Sequence, residues 1–445
     1  MANLLTRLRW TAFTAWHLRR ESALPFWPLA RVQAIQNRRV RDMLGFAWRE
    51  VPFYRDAMAH ARLRPEDIRT ADDLALLPLV GKAELEANPA QFSPAGRTLS
   101  GLTLQSSGTS GRSRNIDYDA AALFWSLVNG QRQRAALTKI VGQWTGYREA
   151  VIARPGGLPF QIRTFYESHA WLPLRWELRR LTISAAETFP QILTRLEEFR
   201  PDVVWGYGAH LGAYYRWVSR QGTGSCMPKA VIYGGDRMAD ADRSLIEEHL
   251  GVAVFSFYQA AEALRIAFQC EQRQGLHVSV DQIAVRAIDS AGRRVGPGGS
   301  GEIVISNLVN RATVLLNYRL GDTVTLGNGP CPCGRSLPTL ARVEGRADDL
   351  LLLPDGSSVH ALGLLNGLQA VPGVVQVQLV QEELRRFRLL VVWQDGAAST
   401  DGEVSLRSSL VARFGLDATF SIERVQLIPT DAGGKVRAAI SRCRG

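Results

Sequence analysis

The stretch LQSSGTSGRSRN, residues 104–115, crowds Ser106, Ser107, Gly108, Thr109, Ser110 and Gly111 against Arg112 and Arg114. Hydroxyls and glycine-freed backbone N–H groups beside cations can wrap an anion, phosphate above all; a plain surface loop is the other reading. No Gly-Lys-Ser/Thr closes the stretch, so it is not a Walker loop. A second group is made of sulfur and imidazole. Cys270 and His277 lie seven residues apart, and Cys331 and Cys333 lie two apart in GPCPCGRS. Three thiols and one imidazole suit a closed, tetrahedral structural zinc site; buried or free cysteines near a surface histidine are the alternative. The third feature is Lys435. The chain has four lysines, and Lys435 is the only one after Lys229. A compact point charge is used there, where the chain otherwise uses the planar fork of arginine.

These groups need elements to hold them. EAVIARPG, PDVVWGYG, KAVIYGGD and AVFSFYQ are short apolar runs ended by Gly or a polar turn, with helical stretches at 186–199 and 239–250 between them. That rhythm predicts an α/β domain with mostly parallel strands and a site in the loops at the strand ends. AIDSAGRRVGPGGSGEIVIS reads as two strands flanking a Gly/Pro turn, a small antiparallel β subdomain. Residues 31–60 read as helix broken at Pro52, and DLALLPLVGKAELEAN as a strand, a turn and a helix. From 349 to 445 short strands and helices alternate in a compact α+β unit, with a helix at 402–414.

The totals bound the rest. At 445 residues and 46% hydrophobic, the chain has enough for two or three domains and a sizeable core. No apolar run reaches the roughly 18 residues of a membrane-spanning helix. The opening MANLLTRLRWTAFTAWHLRRES lacks a clean apolar stretch ending at a small-residue cleavage site, so the cytoplasm is the expected compartment. Five cysteines, an odd number, argue against a disulfide framework, and Cys226 and Cys443 read as unpaired. The net charge is +11, almost all of it arginine. No reading surface or motif for nucleic acid accompanies it, so no nucleic-acid partner is expected. Trp10, Phe13 and Trp16 among arginines could make a helix that touches a membrane peripherally, or one packed on the body of the protein.

Four further segments follow the hydroxyl-rich loop in order. They are VIYGGD with Gly235 and Asp236, VFSFYQAAEALR with Tyr258 and Glu262, VLLNYRLGDTVTL with Asp322, and ARVEGRADDLLL with Arg346 and Asp348; Lys435 comes last, in TDAGGKVRAAI. The ordered set resembles the adenylate-forming superfamily of acyl-CoA synthetases, adenylation domains and luciferases. Within it the likeness is to the phenylacetate–CoA ligase-like branch, with its relatives in capsule and natural-product clusters.

The resemblance implies a reaction and a cast of residues. ATP would convert a carboxylic acid to an acyl-adenylate with release of pyrophosphate, and coenzyme A would then displace AMP. Residues 106–111 would hold the β- and γ-phosphates, with Arg112 or Arg114 adding charge. Thr109 and Glu262 would hold Mg2+. Gly235 and Asp236 would border adenine, Tyr258 would stack on it, Asp322 would take the ribose hydroxyls, and Arg346 would reach the ribose or phosphates. Lys435 would act in adenylation. Asp348 would be the hinge between an adenylate-forming domain, residues 1–347, and a mobile lid, residues 349–445. Trp205, Tyr207, Gly208 and Phe257 would line the acid pocket and suggest an apolar or aromatic acid.

Two departures bear on the acceptor. Gln259 replaces the usual glycine after the stacking tyrosine. The segment after the hinge, LLLPDGSSVHALG, lacks the Gly-containing, Pro-ended loop that borders the pantetheine tunnel in the branch. An acceptor other than coenzyme A (an amine, a hydroxyl or a carrier-protein thiol) is therefore the runner-up, along with activation of an unusual small acid such as nitrous acid. A non-catalytic protein that kept the fold is the reading from another class.

Overall fold

Apolar runs bounded by glycine become strands in two different settings, one antiparallel and one parallel. The computed structural model describes residues 2–96, 99, 101–106, 114–144, 146–171, 179–221, 227–346, 350–353, 355, 357–369, 371–394, 400–429 and 439–443. It divides into two units: Met1–Gly146, Gly156–Leu178 and Phe255–Glu344 form the first, and Tyr147–Pro155, Arg179–Val254 and Gly345–Gly445 the second.

The first unit opens with helices α1 (Leu4–Ala23), α2 (Leu29–Glu50), α3 (Pro52–His60) and α4 (Lys82–Ala87). The helix read over 31–60 is broken at Pro52 as expected: α2 ends at Glu50, and Pro52 opens α3, where a helix's first position needs no N–H donor. The strand expected before α4 is absent. Asp73–Leu76 makes a 3-10 turn, and Val80 alone bridges to Tyr318. Pro78, which has no N–H, interrupts the run. Strands β1 (Gly101–Ser106) and β2 (Arg114–Asp119) pair antiparallel, with Ser106 opposite Arg114. Helices α5 (Ala120–Asn129), α6 (Gln131–Val141) and α7 (Leu158–His169) follow.

The unit is completed by a set of antiparallel strands. These are β7 (Ala253–Ala260), β8 (Leu264–Phe268), β9 (Leu276–Val278), β10 (Ile283–Ile288), β11 (Ser300–Asn307), β12 (Tyr318–Leu326) and β13 (Thr339–Arg346), in spatial order β10-β11-β12-β13-β9-β8-β7. The pair β10/β11 is the expected hairpin.

The second unit carries the parallel strands β3 (Arg148–Ala153), β4 (Arg179–Ser184), β5 (Val203–Gly206) and β6 (Ala230–Tyr233), in order β4-β3-β5-β6. Between them run α8 (Phe189–Phe199), α9 (Gly208–Gln221) and the short α10 (Asp240–Ser244). The α/β class read from the sequence is thus the observed one. The C-terminal α+β portion has the hairpin of β14 (Leu350–Leu352) with β15 (Ser358–His360), helices α11 (Ala361–Gln369) and α12 (Thr400–Phe414), and a sheet of β16 (Val374–Glu383), β17 (Arg386–Trp393), β18 (Thr419–Arg424) and β19 (Ala439–Ser441). Arg216 of α9 ties this portion down. Its fork pairs with Asp242 at 2.8 Å and donates to the Val375 carbonyl at 2.8 Å, while Arg220 donates to the Val374 carbonyl at 2.7 Å.

Inside the first unit, one guanidinium joins distant segments. Arg132 of α6, 1% exposed, donates to Glu21 of α1 at 2.9 Å and to both Asp281 oxygens at 2.7 and 3.0 Å. Arg39 of α2 adds a contact to Asp281 at 3.1 Å. Burial alone would raise the Asp281 carboxyl, but the two guanidiniums hold it below its usual value.

Breaking this network by Arg132→Leu leaves two buried carboxylates facing each other. The expected loss is on the order of 3–5 kcal/mol in urea denaturation. A second expectation concerns pH. Burial lowers the His210 pKa from 6.5 to about 4. The unfolded chain takes up that proton first, so this contribution to stability is present above pH 6.5 and is lost as pH falls towards 4. Melting temperatures across that range check it, and His210→Phe should flatten the profile.

Candidate functional site

Three chain-distant segments meet inside the first unit. Tyr258, near the end of β7, donates its hydroxyl to Asp322 of β12 at 2.5 Å. The approach depends on backbone irregularity. Across from Glu302 and Val304 the register of β12 slips between Arg319 and Thr323, and Gly321 within the slip has φ +82. A bulge of this kind re-aims the next side chain, and only glycine takes that φ without strain. Asp322 is thereby turned towards Tyr258, and both are buried.

Glu262 sits in the turn between β7 and β8, 5% exposed. The Tyr118 hydroxyl donates to the carbonyl of neighbouring Ala261 at 2.8 Å, and the Asn307 amide donates to that of Glu262 at 3.2 Å. The carboxylate lies 3.9 Å from the Arg114 guanidinium, which also pairs with Glu86 at 3.2 Å and donates to the Tyr318 hydroxyl at 3.3 Å. Arg114 is therefore a buried cross-link between β2, β12 and the Glu262 turn. Its fork already faces two carboxylates, and Arg112, the other arginine read as adding charge to the phosphates, lies outside the described residues. Sequence reasoning missed Glu86, Tyr118 and Asn307, which carry no motif of their own. Tyr318 stood inside a quoted segment, but its hydroxyl partner could not be read from it. Glu262 offers hard oxygen donors of the kind Mg2+ takes.

In the second unit, Gly235 follows β6 at φ +90, a conformation that explains its glycine. The Asp236 carboxylate accepts the backbone N–H of Gly208, the first residue of α9. Gly208 is packed so closely that a Cβ would lie 2.5 Å from the Met238 nitrogen and 2.7 Å from the Arg237 carbonyl carbon. The connections after β5 and β6, which carry Gly208 and Asp236, are thus held against each other. Trp205 is the third residue of β5, which Gly206 ends, and Tyr207 is buried; Phe257 belongs to β7 in the first unit. Ser106 and Arg346 are described as strand backbone. Ser107, Gly108, Thr109, Ser110, Gly111, Arg112, Asp348 and Lys435 lie outside the described residues.

The sulfur cluster belongs wholly to the first unit. One ligand atom from each of Cys270, His277, Cys331 and Cys333 lies within 4.8 Å of all the others. Cys270 Sγ and Cys331 Sγ are 3.7 Å apart, and Cys333 Sγ is 3.3 Å from His277 Nε2. Zinc–sulfur bonds of about 2.3 Å at tetrahedral angles put sulfurs about 3.8 Å apart, so the spacing fits such a centre. Cys331 and Cys333 stand in the turn between β12 and β13, where Gly334 at φ +80 folds the chain back. His277 Nδ1 faces the Leu337 carbonyl at 3.3 Å, which leaves Nε2 as the lone-pair nitrogen towards the thiols. Burial lowers the His277 pKa to about 4, keeping the ring neutral, and raises that of Cys270 to about 12. A cation would relieve that cost by stabilising the thiolates. The described cysteines, including Cys443, are free thiols, and Cys226 lies outside the described residues.

Purified protein is expected to contain about one zinc per chain. Cys331→Ser or Cys333→Ser should remove it and lower the melting temperature. Metal analysis of protein prepared without chelator checks both, and metal-free wild type would count against the assignment.

Comparison with known proteins agrees with the resemblance read from the motifs. The family description "CapK C-terminal domain" matches residues 351–442. The chain is 26% identical over 361 residues to a phenylacetate-coenzyme A ligase of Thermus thermophilus, spanning 78% of this chain and 77% of that protein. It is 25% identical over 277 residues to Protein CapK of Staphylococcus aureus, 60% of each chain. Among solved structures, 2-hydroxyisobutyryl-CoA ligase in its postadenylation state, with 2-HIB-AMP, aligns with a TM-score of 0.72 and 20% identity over 94% of this chain and 90% of that one. That likeness concerns the fold.

Proposed function

We propose, on the premise that this chain belongs to the adenylate-forming superfamily and to its phenylacetate–CoA ligase-like branch, that it activates a carboxylic acid with ATP and passes the acyl group to coenzyme A. The observation that supports this most is the hydrogen bond between buried Tyr258 and Asp322, two motif residues 64 positions apart. In the first half-reaction a carboxylate oxygen of the acid attacks the α-phosphorus of ATP, and the bond to pyrophosphate breaks. In the second a thiol attacks the acyl carbonyl, and AMP leaves with the bonding electrons.

Each residue has a task in that scheme. Tyr258 stacks on adenine while its hydroxyl holds Asp322, so that the carboxylate is oriented for the ribose diol. Residues 106–111, joining β1 to β2, cradle the β- and γ-phosphates. Glu262, steadied by Arg114, and Thr109 would hold Mg2+, whose charge offsets that of the phosphates. Gly235, Asp236 and Arg346 border the nucleotide. Lys435 meets the charge that moves from carboxylate to phosphoryl oxygens. Trp205, Tyr207, Gly208 and Phe257 contact an apolar or aromatic acid. Cys270, His277, Cys331 and Cys333 would hold a structural zinc. Residues 349–445 act as a lid hinged at Asp348, and its rotation has to release the bonds from Arg216 and Arg220 to β16.

A second reading is favoured by one observation, the PDGSSVH segment where the branch has its tunnel-bordering loop. In it the acyl group goes to an acceptor other than coenzyme A, or the acid is small and unusual.

Lys435→Ala should cut adenylation on the order of 100- to 1000-fold yet largely spare transfer from a supplied acyl-adenylate. Equal loss in both halves would remove the lysine from the first step. Pyrophosphate release with a suitable acid should proceed without coenzyme A, and hydroxylamine should trap the adenylate as a hydroxamate. A coenzyme A thioester seen by mass spectrometry at roughly 1 s⁻¹ or faster decides for the ligase over the second reading. No pyrophosphate from aryl, fatty or small polar acids would defeat both.

A further inference from the structure

We propose that Arg265 is an anion receptor, and that the acid this chain activates carries a second anionic group, a carboxylate in the first instance, which pairs with it. The inference builds on the acid-activating reading and narrows its substrate class. Among the described residues the four buried guanidiniums are matched: Arg132 with Glu21 and Asp281, Arg114 with Glu86 and Glu262, Arg216 with Asp242, Arg335 with Glu271 at 2.7 Å. Arg265 breaks the pattern. Among the described residues no carboxylate stands within ion-pair reach of it and none of its guanidinium nitrogens has a hydrogen-bond partner.

Its surroundings make the vacancy costly. The guanidinium carbon lies 5.9 Å from the Phe257 ring centroid, and it lies 3.2 Å from the place a Cβ would occupy at Gly130. Burial pulls its pKa down, the Tyr166 hydroxyl opposes that, and the neighbouring Arg134 adds to the fall. Arg265 is half-buried, and a partly desolvated cation without a counter-charge is unfavourable, the more so with a like charge beside it. The backbone nonetheless commits to the placement. Leu264, just before it, holds φ +53, a left-handed conformation that side chains with a Cβ rarely adopt. Arg265 also stands opposite Gln259 across β7 and β8, three residues after Glu262, beside a candidate wall of the acid pocket. A ligand carboxylate would supply the missing charge, with Phe257 against the apolar part of the same molecule.

The test compares wild type with Arg265→Met, using phenylacetate and its ring-carboxylated analogues as probes. Thermal melting without nucleotide reads binding, and pyrophosphate release reads activation. The expected variant melts higher than wild type, since an unmatched charge has gone. Ring-carboxylated acids should stabilise wild type but not the variant, and should be activated roughly 30-fold or more better than phenylacetate in wild type only. A variant that melts lower, with no difference between the two classes of acid in either protein, overturns the proposal. If no acid releases pyrophosphate while dicarboxylates still stabilise wild type alone, the enzyme reading falls and the receptor stands.

A different observation carries a second inference, that the outer face of α1 rests on an anionic lipid surface. The exposed side of this helix is apolar: Leu4, Leu5, Leu8 and Trp16 are 63%, 76%, 48% and 79% exposed, with Ala12 and Ala15 between them. Arg9 and Arg19 border the stripe, and the one acid of the helix, Glu21, is buried against Arg132. Trp171, 43% exposed, lies beside α1 with the Arg7 guanidinium 4.9 Å from its ring. The helix cannot roll to hide the stripe, because Trp10 is stacked on Phe124 at 4.5 Å on its other side. Residues 1–50 hold nine arginines against three acids, a charge that complements phospholipid headgroups.

Cosedimentation with phosphatidylcholine vesicles, with and without phosphatidylglycerol, tests the surface. Wild type should bind the phosphatidylglycerol vesicles, less so at high salt, and the double variant Leu5→Glu, Trp16→Glu should not. Failure to bind either vesicle overturns the inference, as does a concentration-dependent dimer in sedimentation that the same double variant dissolves.

Discussion

A guanidinium taken out of water has to find carboxylates or carbonyls for its fork, and the arrangement of this protein follows from how that demand is met. Arg132 is the clearest case. One side chain satisfies Glu21 and Asp281 at once, and so fixes the first helix to a loop more than 250 residues away. Nothing about the hydrophobic core alone would select that register, since apolar contact is non-directional. The bidentate fork supplies direction. The chain's preference for arginine over lysine, whatever its origin, gives it many such cross-links.

The same demand shapes the site. Arg114 closes the hydroxyl-rich hairpin at its base and steadies Glu262, while Tyr318, on the strand that carries Asp322, takes its remaining donor. Residues with separate tasks in the proposed chemistry are thereby mechanically linked. Strain collects around them: a bulge at Gly321 aims Asp322, and left-handed Leu264 follows the turn that presents Glu262. Conformations of this kind persist where surrounding structure over-determines them, as it does at functional sites. Among the described residues Arg265 has neither a carboxylate nor a carbonyl for its fork, and an unmet demand of that kind is where a ligand is to be sought.

The sulfur cluster plays a quieter part. It stands where the turn between β12 and β13 comes back against β9, a stretch with little apolar content of its own. Glycine and proline let the turn form but do not hold it. Four ligand atoms converging within 4.8 Å could do so without taking part in any reaction.

Much of this was legible in the residues. The strand runs ended where glycine or a polar turn ended them, the β10/β11 hairpin followed its Gly/Pro turn, and the ordered motifs pointed to the superfamily. Spacing and local propensity are properties of short segments, and they survive without knowledge of the fold. The failures were of another kind. Val80 lies in an apolar run that reads as a strand, but Pro78 leaves it a single bridge. Trp10 and Trp16 look alike in the sequence, yet one is stacked in the core and the other lies in solvent. Arg114 reads, as an alternative to Arg112, as a charge for the phosphate loop, and only tertiary contact shows Glu86 and Glu262 facing it. Cys270, His277, Cys331 and Cys333, by contrast, are grouped by residue type alone and do converge, although Cys270 and Cys331 are 61 residues apart. Residue type and spacing decided which chemistry the chain could attempt. Which charge meets which partner, and which is left unmet, depends on distances across the fold, and electrostatics acts over those distances and not over separation along the chain.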